Sequence, residues 1–572
     1  MITDFLKRAA KIFWMLPGFL LWASFPPMGE KSDVVFALAA LMWLSRQGDA
    51  KKSAKVWFFN GFFFWFATLS WMPAIVKNGG PWPLVVLGWG ALSAYCAAYF
   101  AAFGYLSAKL WQWVNDPGEP WRKPARHPYL RRLLAIFLLE PLLWCGLELV
   151  RSRFGGGFSW NQLGVPLVNL GFGAPCALGG VYLVSAVVVL VNGTIAGVAE
   201  RVMRRVKTKW APVETLVPFL LVWGIYSAAN GTAETNGTDG AEAEGKTLTV
   251  ALVQRNFPCV FQRDDREDPV AAYSNLLANV AYVRPGLVLL SESAMCEFGA
   301  VDSPRAAAFA DWVSRSVGGA AVLAGGGRYA EGREYNSAGL YQFSEPSTVE
   351  LSDPSTFQLS NSSTVQLSIY DKVHLVPFGE FIPGDKWITA LQKFAPVGSC
   401  TPGVPKLLHL APQNQTPNNP NTDISLGVAI CFEDTDSALM REAARQGADL
   451  LCFITNDSWF SRSIEAEQHA WQAVARAIET GLPVARVGNS GVTGTIAPDG
   501  RCSWLCDVRG RPLMDAQGAM CDRIPIRTGA RTLTVYTRCG DAPLGSAFAL
   551  FMLAMILVKY KNYYEKRRYL SL

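Results

Sequence analysis

Eight apolar runs, near residues 10–27, 33–46, 56–76, 82–108, 133–150, 177–199, 213–229 and 542–558, constrain this chain more than any other feature. About 20 apolar residues cross ~30 Å of hydrocarbon as a helix, because a helix pairs its own backbone groups where water is absent. The second run is short and the first contains prolines. A cleaved signal peptide is the alternative for the first run, but no small-x-small site follows it clearly.

Lys and Arg collect between alternate pairs of runs. Lys7, Arg8 and Lys11 precede the first; Arg46, Lys51, Lys52 and Lys55 follow the second. Lys109, Arg122, Lys123, Arg126, Arg131 and Arg132 follow the fourth, and Arg201, Arg204, Arg205, Lys207 and Lys209 the sixth. Lys559, Lys561, Lys566, Arg567 and Arg568 follow the eighth. With eight crossings all five groups share one side, so the positive-inside bias predicts cytoplasmic termini and an external segment over about 231–541. Arg151 and Arg153 are the exception among the outer loops. The net charge of +6 thus sits in short loops, not on a folded face, which argues against nucleic acid.

The external segment opens with NGTAETNGTDGAEAEG (230–245), a flexible linker by composition. Short β-rich runs follow at 247–254, 286–292, 320–327, 337–343, 426–430, 450–456 and 484–489. Helical patterns at about 269–282, 304–317, 437–447 and 464–480 separate several of them, which predicts a layered α/β domain. Three octad copies, STVELS, STFQLS and STVQLS from Ser347, Ser355 and Ser363, read as an expanded surface hairpin or loop over 347–368. The expected domains are 1–230 (seven helices), a linker 231–246, 247–535 (layered domain) and 540–572 (last helix and basic tail).

Three strand ends carry a reactive group: Glu292 after LVLLS, Lys372 after IYD and Cys431 after GVAI. The carboxyl ends of strands in such a domain gather at one edge, so these residues can converge. A thiolate attacks acyl carbons, a buried carboxylate takes its proton, and an ammonium offsets charge on the carbonyl oxygen. No histidine is required, and the chain has only four, His127, His374, His409 and His469. Twelve cysteines without a CxxC pair or zinc-finger spacing predict no metal site. Taken singly, the Cys reads as packing, the Glu as a turn residue and the Lys as exposed.

The order Glu292, Lys372, Cys431, set in LLSESA (289–294), YDKVHLVPFGEFIPG (370–384) and AICFED (429–434), resembles the nitrilase superfamily. Within it the chain resembles the apolipoprotein N-acyltransferases, which join this domain to a polytopic membrane part. GFSWNQLG (157–164), GVYLVSAVVVLVN (180–192), TNDSWF (455–460) and QHAWQAVARAIETGLPVARVGNSG (468–491) carry the same resemblance. It implies a polytopic α-helical membrane domain of about eight helices plus an extracytoplasmic α/β nitrilase-like (αββα) domain. It also implies Glu292 as general base, Lys372 as charge stabiliser and Cys431 as nucleophile. Glu380 would support the lysine and the base, and Glu433 would be the acid that follows the nucleophile. Phe432 stands where the family usually has tyrosine.

The implied reaction moves an acyl chain from a phospholipid to a diacylated apolipoprotein at the bacterial inner membrane. The catalytic domain would be periplasmic, with no cofactor, no metal and a monomeric chain. Trp459 and Phe460 read either as core or as a lipid entrance. Arg151, Trp160 and Asn161 read as contacts to the donor's phosphate or as a loop anchor, and His469 as a capping or packing residue. Two rivals are a membrane-tethered amidase with the same triad and a transporter whose intramembrane acids are Glu140 and Glu148.

Overall fold

The computed structural model describes residues 15–115, 128–204, 211–237, 246–258, 268–343, 365–382, 399–412, 423–460, 463–527 and 532–571. The chain divides into two units, one of Met1–Ser70, Val86–Gly231 and Cys539–Leu572, the other of Trp71–Val85 and Thr232–Arg538.

Six helices among the described residues have the length and apolarity of a membrane span. They are Ala50–Asn78, Trp82–Val114, Tyr129–Arg151, Cys176–Arg204, Pro212–Gly231 and Ala542–Tyr569. The first two apolar runs form shorter pieces. The described part of the first holds Leu16–Ala23, and the second is broken into Val34–Ala37 and Ala39–Ser45. Side chains catch the backbone freed at such breaks. Asn192 accepts from the Leu38 N–H at 2.8 Å and donates to the Val34 carbonyl at 2.9 Å. Glu148 accepts from the Leu163 N–H at 2.8 Å, and Ser185 Oγ from the Gly164 N–H at 2.9 Å. Backbone that leaves helical pairing in apolar surroundings needs such partners.

Arg46, Arg132 and Arg201, three of the cations counted in the loops, are instead paired inside the first unit with Glu140, Glu200 and Glu214 at 2.7–3.9 Å. Glu140 also accepts from Ser107 and Trp111. Both acids on which the transporter alternative rested therefore hold structural partners. The helix Ala211–Gly237 also runs through the first half of the expected linker, while 238–245 lie outside the described residues.

Among the described residues the second unit contains twelve strands: β1 (Lys246–Gln254), β2 (Leu287–Leu290), β3 (Ala321–Ala330), β4 (Arg333–Phe343), β5 (Val365–Asp371), β6 (Leu407–Leu410), β7 (Ile424–Ile430), β8 (Leu450–Thr455), β9 (Val484–Gly488), β10 (Gly494–Ile496), β11 (Cys502–Trp504) and β12 (Gly518–Ile526). They form two six-stranded sheets, ordered β12-β1-β2-β3-β4-β5 and β11-β10-β9-β8-β7-β6. The strand period of two assigns each side chain to a face. Leu248, Val250 and Leu252 of β1 meet Leu426, Val428 and Ile430 of β7 in the core between the sheets. Ala251 and Val253 turn outward to the helices Pro269–Ala281 and Pro304–Ser316. Ser437–Arg445 and Glu465–Thr480 pack on the second sheet's side, giving the αββα layering.

Helix starts are set locally. Asp268, Ser303 and Asp436 accept from the N–H groups of Val270, Ala306 and Ala438, and proline follows the first two caps. β5 corrects one expected boundary: the last repeat copy enters the sheet, with Val365–Ser368 paired to β4 in register Phe343↔Val365 through Leu340↔Ser368. Positions 347–364 lie outside the described residues.

Candidate active site

Strand direction brings Glu292 and Lys372 to the same end of the first sheet. β2 and β3 are parallel, β4 reverses, and β5 reverses again, so β2 and β5 point the same way. In the other sheet β7, β8 and β9 are parallel, with Ile430 beside Ile454 and Ile454 beside Val487. Cys431 leaves β7 with φ 54, in the left-handed region that β-carbon-bearing residues rarely occupy. This sharp turn opens a single 3-10 turn, Cys431–Thr435, and leaves the thiol half-buried against the inter-sheet core.

Glu433 joins the ends of β5 and β7. One carboxylate oxygen accepts from the backbone N–H groups of Val373 (2.6 Å) and His374 (2.9 Å), the other from Ile430 (2.8 Å), and Tyr370 donates its hydroxyl to both. The residues flanking Lys372 and Cys431 are thereby bound to one carboxylate. Burial pushes that carboxyl up to about 7, and Lys372 and the backbone donors hold it from going higher. In Glu433→Gln an amide N–H₂ must face backbone donors. Each donor left unmatched costs about 1–3 kcal/mol. Thermal unfolding should show a lower Tm, together with slower modification of Cys431 by an acyl donor.

Lys372 is buried, with Nζ 2.9 Å from Glu380 Oε1 and 3.8 Å from Glu292 Oε1. Asn336 donates to both acids, at 2.8 Å to Glu292 and 2.7 Å to Glu380, and its carbonyl accepts the Lys372 N–H at 2.8 Å. Glu380 Oε2 takes the Val376 N–H at 2.8 Å. Burial opposes the lysine's charge, but Glu380, Cys431 and Glu292 outweigh it and raise the ammonium above its ordinary range. Lys372 in turn overcomes burial at Glu380 and lowers its carboxyl. Glu292 goes the other way: burial raises it, Lys372 only partly compensating. The Cys431 thiol is pushed well up by burial and by Glu292, with Lys372 opposing. A thiol held up, a carboxyl of raised basicity and a buried ammonium suit nucleophilic attack coupled to proton transfer. Gly325 is required here, since a Cβ on it would lie 2.1 Å from the Glu292 carbonyl oxygen.

The structure thus brings together Glu292, Lys372, Glu380, Cys431 and Glu433. The ring of Phe432 lies edge-on to His374 at 5.7 Å. Trp459 is exposed, whereas Phe460 stacks edge-to-face on Trp71 at 4.6 Å, so the two separate into a surface and a packed residue. Arg151 and Trp160 belong to the first unit and are buried, Arg151 donating to the Trp160 carbonyl at 2.8 Å and lying over the Trp65 ring. Asn161 there donates to Thr68 Oγ1 at 3.2 Å. Sequence reasoning missed Asn336, Tyr370, Asp457 and Arg486. The available signal was a polar residue inside an otherwise apolar strand, as in NSAGLY and VARVG. Asp457, Glu465 and His469 place donor atoms within 4.8 Å of one another, the spacing of a cation site. The positive charge in that cluster comes from Arg486 and from the His469 ring, which faces carboxylates with both nitrogens.

Two family profiles match the chain: the apolipoprotein N-acyltransferase N-terminal domain over 17–194 and carbon-nitrogen hydrolase over 330–517. An apolipoprotein N-acyltransferase of Geobacter metallireducens is 27% identical over 552 residues, covering 94% of this chain and 93% of that protein. One from Ralstonia nicotianae is 26% identical over 542 residues, covering 91% and 88%. Among solved structures, a variant of a nitrilase-superfamily amidase from Nesterenkonia AN1 is 16% identical, covers 53% of this chain and 97% of its own, and has a TM-score of 0.34.

Proposed function

We propose that this chain, which belongs to the apolipoprotein N-acyltransferase family, moves an acyl chain from a membrane phospholipid to the α-amine of the N-terminal diacylglyceryl-cysteine of an apolipoprotein. The observation that supports the residue roles is the ion pair of Lys372 with Glu292 beside Cys431, in a chain with six helices, among the described residues, long and apolar enough to span a bilayer.

Cys431 Sγ attacks the ester carbonyl carbon while Glu292 takes the thiol proton. Lys372 and a backbone N–H near Phe432 hold the oxyanion. Collapse breaks the ester C–O bond, the lysophospholipid oxygen leaves with the proton from Glu292, and a thioester remains on Cys431. The lipoprotein amine then attacks the thioester carbon and gives a proton to Glu292. The C–S bond breaks, an amide is formed, and the proton returns to the thiolate. Two half-reactions through one covalent intermediate give ping-pong kinetics.

Water competes with the amine, so the thioester needs a dry site. Both substrates are lipids, each buried CH₂ favouring the membrane by ~0.8 kcal/mol, and a site at the bilayer surface concentrates them. The basic loops favour a multi-pass inner-membrane protein with cytoplasmic termini and a periplasmic catalytic domain. The partners are the phospholipid, the diacylated apolipoprotein and the bilayer, with a monomeric enzyme and no cofactor or nucleic acid.

The test incubates membranes containing the protein with acyl-labelled phospholipid and a diacylated lipoprotein. The expected result is label in an amide at the lipoprotein N-terminus. Release of label as free fatty acid with none on the amine, or turnover of small soluble amides without lipid, overturns the proposal.

A further inference from the structure

Beside the Cys431 turn, five ionisable side chains from four elements meet out of water: Asp434 in that turn, Asp457 in the turn after β8, Glu465 and His469 on the helix Glu465–Thr480, and Arg486 in β9. None is more than 3% exposed. His469 Nε2 lies 2.9 Å from Asp434 Oδ1, and Nδ1 lies 2.9 Å from Asp457 Oδ1 and 3.5 Å from Glu465 Oε1. Arg486 binds Asp434 and comes within 3.8 Å of Asp457 Oδ2.

This geometry favours a charged ring. Nδ1 is hydrogen-bonded to Asp457, while Nε2 approaches Asp434 Oδ1 as an ion pair without hydrogen-bond alignment. A neutral imidazole offers one N–H and one lone pair, and a lone pair close to a carboxylate oxygen is repulsive, so carboxylates at both nitrogens favour the cation. Burial opposes that charge, yet Asp434 and Asp457 outweigh it, Arg486 notwithstanding, and raise the imidazolium to about 10. Burial and Asp457 push the Glu465 carboxyl well up, which favours its protonated form. Two cations then balance Asp434 and Asp457.

The cluster also touches both halves of the reaction centre. Asp434 lies three residues after Cys431 in the same 3-10 turn. Asp457 follows Asn456, which donates to Ser293 Oγ at 3.2 Å, next to Glu292. Gly491 clears room for Asp457, since a Cβ there would lie 1.8 Å from its Oδ2. The charge of Asp457 acts on both Cys431 and Glu292, making each harder to ionise.

We infer that His469 is a cationic positioning residue that clamps the Cys431 turn to the 457–460 turn and offsets the charge that Asp457 places beside Cys431 and Glu292. The inference rests on the proposed roles of those two residues. It extends them to a side chain that touches no substrate.

Two measurements test it. In the wild-type protein labelled with ¹⁵N-histidine, His469 should show two protonated ring nitrogens at pH 8.5, where an ordinary histidine is neutral. A His469 signal of a neutral ring at that pH overturns the inference, whatever the acyl donor proves to be. In His469→Gln the lost cation leaves Asp457 and Asp434 undercompensated. The rising limb of Cys431 thioester formation, read by mass spectrometry, should move up by about half a pH unit or more. Acylation on that limb should fall about threefold or more. His469→Gln/Asp434→Asn, which removes one charge of each sign, should return the limb toward its wild-type position. An unshifted limb in the folded single variant, or an equal shift in both variants, overturns it. If neither variant folds, the wild-type spectrum decides. Absence of phospholipid-derived label with an intact imidazolium signal would instead count against the proposed donor.

Discussion

Replacing Cys431 by serine is expected to abolish the acyl adduct and to lower acyl transfer by about 10³-fold or more. A hydroxyl is a far weaker acid than a thiol, and the carboxylate that faces it gains no ionised nucleophile to work with. The substitution keeps the size and the polar tip, and serine meets the same left-handed backbone at φ 54 that cysteine already occupies. Stability should therefore change little, and the loss should be one of chemistry. The measurement is intact-protein and peptide mass spectrometry after incubation with labelled phospholipid. An adduct that persists in the serine variant on Cys296 or Cys400, or one never seen in the wild type, removes Cys431 from its proposed role.

Replacing Lys372 by methionine is expected to slow formation of the Cys431 thioester by about 10²–10⁴-fold at neutral pH. Methionine matches the stem of lysine and deletes only the charge. Glu292 and Glu380, both bonded to Asn336, would then face each other without a cation between them. Two carboxylates so placed cannot both stay ionised, and one takes a proton. Lys372 is the largest influence holding the Glu292 carboxyl down, so its loss raises that carboxyl further. The sign follows: a base with a higher pKa is ionised only at higher pH, and the acid limb of the rate profile moves up. Removing one partner of a buried pair also costs about 3–5 kcal/mol of stability, so Tm is read alongside. Lys372→Arg keeps the charge and the fold but misplaces the donor, and should remain more than about tenfold slow. A folded Lys372→Met protein with an unmoved limb and a rate within tenfold of wild type would falsify the electrostatic role.

Particular elements show which parts of the fold were legible. The long apolar runs were, because length and the lack of charge alone decide whether a helix can span. The break at Leu38 was not, since it depends on Asn192, 154 residues away, to receive the freed backbone groups. β1, β7 and β8 were visible as continuous apolar runs buried on both faces. β10, β11 and β12 were not, because short or half-exposed strands take their identity from a neighbour's hydrogen bonds. The helix through 231–237 was read as linker, since its Gly, Thr and Ala content carries no apolar period. Loop cations such as Arg46 look solvated in one dimension and prove to be buried partners of Glu140 and Glu200.

Sequence alone determined the order of the long apolar segments, the layered class of the second unit, and the three residue types whose chemistry suits acyl transfer. Each of these depends on local composition or period. Tertiary structure decided what surrounds them: Asn336 between two acids, Glu433 tying two strand ends together, and His469 set among carboxylates beside the thiol's turn. Those arrangements rest on distances between residues tens to hundreds of positions apart. Burial then sets the strength of every charge among them, and no local pattern encodes burial.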